Sequence, residues 1–400
     1  MSAATYQRAE AAHTIWPTRE PLLENMFPEL FEYLSGTPLL TLETRGSGVV
    51  ERFKTSGAIG LIVPQELGGV GASARTAIAV QREIGGRSPS LAAATTMHHL
   101  SLATLLEYAH AGTEDDLDLA RAIVGANTLI ASGFAEGKSG SSVFEPSMKA
   151  EQVTGGYLVS GSKKPCSMSS SMDLLTATVV VPSENGPLRG IALISAETPG
   201  LSVRPFWKTH VLGGSESDEV VLDEVFVPEQ LVIADTDGQS MHRHEMTGFL
   251  WFGMLITASY LGAASRLVEL LMAKPNANSD LIVSAAGELE MSYSAVESIA
   301  RRFDGGERGA DLSAQLLLVR YATRDSLTRS AASSVAGLGG SAFIDKPEVA
   351  YLESVVHAYG FHPPFRSQMA AGIVEYLEGG LFMLTPDSSE RSSAASGGSR

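Results

Sequence analysis

The chain has 400 residues, of which 44% are apolar and 18% charged, with a formal net charge of −16 and one cysteine, Cys166. That length carries two or three structural units around a large core. The acidic balance excludes a surface built to neutralise nucleic-acid phosphates or to meet an anionic membrane. A lone cysteine excludes a disulfide framework and a cysteine-rich zinc site, and fits a reducing compartment. A cytoplasmic protein with no metal site is expected, and residues 1–20 show no cationic start followed by an apolar run that would suggest a secretory signal.

In chain order, Pro21–Leu34 repeats apolar residues at helical spacing and is closed by Ser35-Gly-Thr-Pro38. Glu43–Ser56 reads as another helix, ended by Gly57. A proline and glycine turn follows at Ile59–Gly71, then long helices over Ser73–Ile84 and Ser90–Tyr108, the second carrying His98 and His99. Thr113-Glu-Asp-Asp116 supplies an N-cap and an acidic first turn for a helix to Ala126. The pattern then changes. Thr128–Phe134, Met148–Val153, Gly156–Ser162, Leu174–Val181, Gly190–Ser195, Leu201–Pro205 and Glu219–Val227 are short, β-rich runs between turn residues, which suggests a small barrel or sandwich. Helical spacing resumes near Met241. It predicts helices over Gly248–Met272, Ser279–Asp304, Ala310–Leu338, Asp345–Tyr359 and Phe365–Leu384. The Phe249–Leu261 run is too short to span a bilayer and reads as a core helix. The expected organisation is α+β: a helical domain over 1–126, a β domain over 127–236, a helical bundle over 237–385, and a Ser/Gly/Ala-rich disordered tail over 386–400.

Several motifs in this order resemble those of the acyl-CoA dehydrogenase superfamily of flavoproteins. Ile62-Val-Pro-Gln-Glu-Leu-Gly-Gly69 resembles its turn of a proline, two polar residues and Gly-Gly before the third helix, and Gly133-Phe-Ala-Glu-Gly-Lys-Ser-Gly-Ser141 its Thr-Glu-Pro-x-x-Gly-Ser loop. Gly155–Lys163 resembles the hairpin that leads to a flavin-contacting Ser or Thr, and Ser217–Glu229 the strand that leaves the β domain. Gly339-Gly340 resembles the pair that approaches the flavin adenylate from the C-terminal bundle. The resemblance implies FAD or FMN as cofactor. It implies flavin contacts at Phe134, Ala135, Glu136, Ser141, Cys166, Ser167, Gly339 and Gly340, with Ser167 facing flavin N5. Ala135 stands where the family has Thr, Pro165 where many members have Trp, and Ala336 where a Gln is usual. Lys274-Pro-Asn-Ala-Asn278 replaces the family's Arg-x-x-Phe-Gly.

A thioester dehydrogenase of this family needs a carboxylate to take the α-proton while hydride leaves for the flavin. The family position counted from Gly339-Gly340 falls on Phe361-His-Pro-Pro364, and the alternative one, eleven residues before Gly262, is Trp251; neither is acidic. Glu378, in Tyr376-Leu-Glu-Gly-Gly380, is the remaining candidate base. The other branch of the superfamily uses reduced flavin and O2, and places histidines over the flavin beside the N5 serine. His362, with His98 or His99, fits that pattern, as does Ser215–Pro228. The first expectation is therefore a flavin-dependent monooxygenase supplied by a separate reductase. The second is an acyl-CoA or acyl-carrier-protein dehydrogenase, and the third a flavin-less scaffold. The resemblance further implies a homo-oligomer, dimer or tetramer. The pocket is expected to be lined by Phe249, Trp251 and Phe252, which suits an apolar or aromatic small molecule.

Overall fold

The computed structural model describes residues 21–136, 146–184, 186–234 and 240–384; Ser141 and the tail from 386 lie outside them. The N-terminal part is helical: α1 (Leu22–Met26), α2 (Pro28–Gly36), α3 (Leu39–Leu42), α4 (Val49–Thr55), α5 (Ala74–Arg87), α6 (Pro89–Ala111) and α7 (Glu114–Gly125). The single helix expected over 21–34 is two, because Pro28 has no N–H to donate and forces Phe27 out of the helical region, to φ −140° and ψ 65°. The helix expected from Glu43 begins only at Val49. Gly46 and Gly48 precede it with φ of 73° and 75°, a conformation open to glycine that ends any helix. Thr113 caps α7: its side chain accepts from the Asp116 N–H, and the Asp116 carboxylate accepts from the Thr113 N–H at 2.7 Å.

Among the described residues, eight strands follow as one mixed sheet: β1 (Ile130–Gly133), β2 (Lys149–Val153), β3 (Gly156–Cys166), β4 (Leu174–Val181), β5 (Leu188–Ser195), β6 (Leu201–Arg204), β7 (Asp218–Pro228) and β8 (Val232–Ala234). Their order is β6-β7-β3-β2-β4-β5-β8, with β1 parallel to β4. Each run read as a strand is one. The unexpected β8 is too short for an alternation to show, and pairs antiparallel with β5. Val159, Leu175, Val179, Ile194, Val220 and Leu222 close a core belonging to the sheet.

The C-terminal helices are α8 (Ser240–Met272), α9 (Ser279–Asp304), α10 (Ala310–Asp345), α11 (Pro347–Ala358) and α12 (Arg366–Leu377). α8 is the axis and packs on α5, α6, α9, α10 and α11. Its stretch 245–272 is long and apolar enough to cross a bilayer, yet its most apolar part is buried inside the protein. A Cβ on Gly262 would lie 2.2 Å from the Arg82 carbonyl oxygen, and one on Gly85 2.2 Å from that of Ser259. Glycine thus lets α5 and α8 cross with their backbones in contact. α10 runs past Leu338, where it was expected to end, after a kink at Gly339 (φ 80°, ψ 169°). α12 stops at Leu377 rather than Leu384, with Gly379 at φ 96° just beyond.

One carboxylate ties the three parts together. Glu43, buried, accepts from Ser88 Oγ at 2.7 Å, from Ser90 N–H at 3.0 Å and from Ser90 Oγ at 2.7 Å. It also accepts from the Tyr351 hydroxyl, whose oxygen takes the Leu212 N–H at 3.1 Å. The start of α6, the β6–β7 connection and α11 therefore meet at one group. Burial pushes the Glu43 carboxyl up, against the pull of these hydrogen bonds.

Candidate active site

A cavity of about 520 Å³ lies where the sheet, α6, α8 and the segment after α11 converge. This is the size of a small-molecule or cofactor site. α6 contributes Ala93, Met97 and Leu100, one stripe at helical spacing. Ser132, Phe134 and Ala135 come from the end of β1, and Pro165 and Ser167 from the end of β3. The β6–β7 connection adds Trp207, Thr209, Val211, Leu212, Ser215 and Ser217, and α8 adds Glu245, Phe249 and Phe252. Ser354, Ala358 and the segment Phe361–Pro364 close the wall.

The expected cofactor residues divide between the two faces of the sheet. Ser167 and Pro165 face the cavity, so Cys166 between them faces away, as strand alternation requires. Its thiol is fully buried in the sheet core, points to the Ser132 carbonyl oxygen at 3.7 Å, and is pushed up to about 12 by burial. Phe134 and Ala135 line the cavity; Glu136 does not. Glu136 accepts from Lys163 Nζ at 2.9 Å, from the Ser147 N–H at 2.9 Å and from the Met148 N–H at 3.2 Å. Burial opposes its ionisation, but the bonds from Ser147 and Lys163 outweigh it and hold the carboxyl down at about 2. Glu136 is thus committed to joining β1, β2 and β3. Gly339 and Gly340 also lie outside the cavity wall, at the far kink of α10, where Lys274 Nζ donates to the carbonyls of Gly337 (2.8 Å) and Leu338 (2.9 Å).

Of the three histidines singled out, only His362 reaches the cavity. Its Nε2 lies 2.7 Å from the Tyr260 hydroxyl, and its carbonyl accepts from Arg320 Nη2 at 3.3 Å. Burial first, and the Arg320 charge second, lower its imidazole to about 3, so it is neutral. Tyr260 stacks on Tyr359 with centroids 4.9 Å apart, which fixes the hydroxyl that meets His362. His98 and His99 follow Met97 and turn to the other side of α6. His98 Nε2 donates to the Ile59 carbonyl at 3.0 Å and its Nδ1 accepts from the Ile130 N–H at 3.1 Å. That assigns its tautomer, and burial lowers it to about 4. His99 packs 5.2 Å from His98, and burial followed by that neighbour holds it well below its ordinary value. Glu378 is exposed just beyond α12, and Trp251 packs edge-on against Phe303 at 5.1 Å; neither lines the cavity.

Sequence reading missed Ser217, Ser215, Tyr260 and Glu245. Ser167 Oγ is 2.9 Å from Ser217 Oγ, and Ser217 Oγ is 2.8 Å from Ser215 Oγ. The two partners lie inside the Ser215–Pro228 motif, so a signal existed. Tyr260 and Glu245 sit singly on a long apolar helix and carry none. Glu245 is buried, accepts from Arg189 Nη2 at 2.6 Å, and is the single carboxylate among the described lining residues. The cavity suits a flat heteroaromatic ring: aromatic and aliphatic walls, with a hydroxyl on the sheet side and an imidazole on the bundle side.

A profile of the acyl-CoA dehydrogenase N-terminal domain matches residues 42–116. The isobutylamine N-hydroxylase of Streptomyces viridifaciens is 40% identical over 363 residues, covering 89% of this chain and 96% of that protein. The nitrososynthase of Micromonospora carbonacea var. africana superposes with a TM-score of 0.75 at 18% identity, covering 92% of this chain and 98% of that one. The FMN-bound TdsC of Paenibacillus sp. A11-2 gives 0.74 at 16% identity, covering 92% and 97%. At such identities the two structures speak for the fold alone, but the N-hydroxylase matches along nearly its whole length. The chain belongs to the acyl-CoA dehydrogenase superfamily, the flavin-dependent oxidoreductases whose fold it shares.

Proposed function

We propose that the chain is a flavin-dependent monooxygenase that hydroxylates the nitrogen of a small aliphatic amine, using reduced FMN or FAD delivered by a separate reductase. The observation that carries this reading is the pairing of Ser167, from the sheet, with His362, from the bundle, on one largely apolar cavity. The 40% identity to an isobutylamine N-hydroxylase supports the amine. Reduced flavin supplies the two electrons that activate O2; one oxygen atom goes to the amine nitrogen and the other leaves as water. The chain's part is to exclude water, which the aromatic and aliphatic wall does, and to orient the reactants. Ser167 holds the flavin edge. His362, neutral and steered by Tyr260, holds or passes a proton at its ring nitrogen. Glu245 accepts an N–H from the amine.

The dehydrogenase reading loses its base. Phe361–Pro364 has no carboxylate, Trp251 is in the core, and Glu378 is exposed outside the cavity. Glu245 is already bound to Arg189, which suits an anchor better than a base that must take up a proton. The C-terminal surface exposes Phe343, Ile344, Phe361, Val374, Leu377 and Leu381, a set that suits burial against further copies of the chain. In such a homo-oligomer Gly339 and Gly340, remote from their own cavity, are free to serve a partner's flavin.

The deciding experiment loads the protein anaerobically with reduced FMN, or in parallel reduced FAD, and mixes it with O2 in a stopped-flow instrument, with and without isobutylamine. A long-lived near-ultraviolet transient is expected, giving way to the oxidised-flavin spectrum as the hydroxylamine and water form. Immediate reoxidation to hydrogen peroxide with no hydroxylated product from any small amine would overturn the proposal.

A further inference from the structure

An aliphatic amine reaches the cavity from a pool that is almost wholly ammonium. With the lysine value of about 10.4, roughly one molecule in a thousand is neutral near pH 7.4. Oxygen transfer needs the nitrogen lone pair, which an ammonium lacks, so the proton is lost either in the cavity or before it. The cavity has little to offer a cation. Glu245 on α8 is the single carboxylate among its described lining residues; it is buried, and Arg189 Nη2 on β5 donates to it at 2.6 Å. The two together are neutral. From α10 the Arg320 guanidinium adds a positive charge, 5.1 Å from the centre of the lining Phe252 ring. At the start of β7 Asp218 is paired with Arg45 at 2.9 Å, while Glu216 accepts from Ser171 Oγ at 3.0 Å and does not line the cavity. Glu43, behind the β6–β7 connection, is enclosed by Ser88, Ser90 and Tyr351. Lys208 and His210 of that connection and His357 of α11 are exposed. The ends of β1 and β3 and the α6 stripe bring only serines and apolar groups. An ammonium in this cavity would lose its water with no unengaged opposite charge on the described wall to replace it.

The described wall holds no base strong enough for the ammonium's proton either. His362 is its one imidazole. The Tyr260 hydroxyl stands 2.7 Å from His362 Nε2, and burial holds the ring at about 3, far too acidic to keep a proton taken from an ammonium. Carboxylates ordinarily lie about six units below an ammonium, and the one here is tied to Arg189. We infer that the amine enters as its neutral free base, its proton shed to bulk water beforehand, and that the site turns away any amine carrying a further charge, such as an α-amino acid. The neutral nitrogen donates an N–H to Glu245 and keeps its lone pair for the oxygen. The aliphatic and aromatic wall takes the alkyl group. An amino acid's carboxylate would meet no cation on that wall, since neither Arg189 nor Arg320 is among the lining residues. The inference rests on the amine N-hydroxylase reading of the same cavity.

The test uses the full chain with FMN and an excess of reductase, and counts hydroxylamine formed from isobutylamine between about pH 6.5 and about pH 9. The value of kcat/KM on total amine should rise about tenfold per pH unit, as the neutral fraction does, with kcat nearly flat. With 2-methoxyethylamine, whose ammonium is more acidic, the profile should move to lower pH by the difference between the two amines, a shift that titration of a protein group would not give. Isobutanol, an uncharged isostere, should inhibit with a constant that does not depend on pH, and L-valine should give no product. A kcat/KM flat with pH, profiles that coincide for the two amines, isobutanol inhibition that tracks pH with them, or hydroxylation of L-valine would overturn the inference and leave the N-hydroxylase standing. No hydroxylated product from any amine at any pH would overturn the function itself.

Discussion

The hydroxyl of Ser167 lies 2.9 Å from that of Ser217, and the direction of this hydrogen bond is set two residues away. Ser215 Oγ is 2.7 Å from the Leu212 carbonyl oxygen, which can only accept, so Ser215 donates there. Ser217 must then donate to Ser215, 2.8 Å away, and Ser167 to Ser217. Ser167 therefore turns lone pairs rather than a proton into the cavity. With the flavin edge against it as proposed, it accepts from the N5–H of reduced flavin and meets the bare N5 of oxidised flavin unfavourably. Reduced flavin is expected to bind about five- to tenfold more tightly than oxidised, the worth of one hydrogen bond. Ser217→Ala frees the Ser167 proton and should bring that ratio close to unity. Anaerobic fluorescence titrations of both redox forms measure it; an unchanged ratio in the variant would sink the relay.

Tyr260 and His362 give a graded pair. Tyr260→Phe removes the hydroxyl 2.7 Å from His362 Nε2 and leaves the ring on Tyr359. Loss of one orienting bond, about 1 kcal/mol, predicts roughly a fivefold drop in product formed per flavin oxidised. His362→Ala should abolish product while leaving the flavin dissociation constant within about twofold of wild type. Wild-type coupling in His362→Ala would remove this histidine from the chemistry.

Glu245→Gln keeps the shape beside Arg189 and removes the charge. The Michaelis constant for the amine should rise by roughly tenfold, the worth of a charge-assisted hydrogen bond, with the turnover number little changed. Steady-state kinetics with the reductase in excess read the split. A fall in turnover alone would place Glu245 outside amine binding.

Much of this site was legible before the fold was known, and what was missed has physical causes. Ser167 could be found because a motif and the strand period fix both its position and its face. The same period places Cys166 on the opposite face, so the cysteine could have been set aside. His98 and His99 misled because α6 is apolar nearly all round: a helix without a polar stripe does not reveal which side meets a cavity. Their true partners, Ile59, Ile130 and Phe53, lie on other elements. Tyr260 and Arg320 are single polar residues within long helices, and their importance comes wholly from the later segment that folds back onto them. Glu378 carried a signature-like context, but α12 buries Met369 and Ile373 and leaves its end in solvent.

Glu43 is expected to be the most sensitive polar position outside the cavity. Glu43→Ala would strand the Ser88, Ser90 and Tyr351 donors in a buried site, at a cost of ~3 kcal/mol or more. Tyr351→Phe keeps the carboxylate's other bonds and should cost about 1 kcal/mol. Urea unfolding of both variants tests the order. Near-wild-type stability in Glu43→Ala would mean that the three parts are held together by apolar packing alone.

Acid should destabilise the fold through its buried histidines. His98, lowered to about 4 from an ordinary value of 6.5, binds its proton more readily once the chain unfolds. Its contribution is complete above pH 6.5 and is lost as pH falls from there toward 4. One such group changes the unfolding free energy by at most ~1.4 kcal/mol per pH unit. His362 and His99 are lowered too and act in the same direction. Glu43 acts oppositely: its raised carboxyl contributes stability at low pH that is lost as pH rises through its folded value. The net slope is therefore a poor test, and the difference between wild type and His98→Gln is a good one. Glutamine can still donate to Ile59 and accept from Ile130, but it does not titrate. Urea unfolding between about pH 7.5 and about pH 5 should show wild type losing stability faster than the variant, by up to one proton's worth. Equal slopes would mean that His98 carries the same charge in both states, and that its bonds to Ile59 and Ile130 do not hold it neutral.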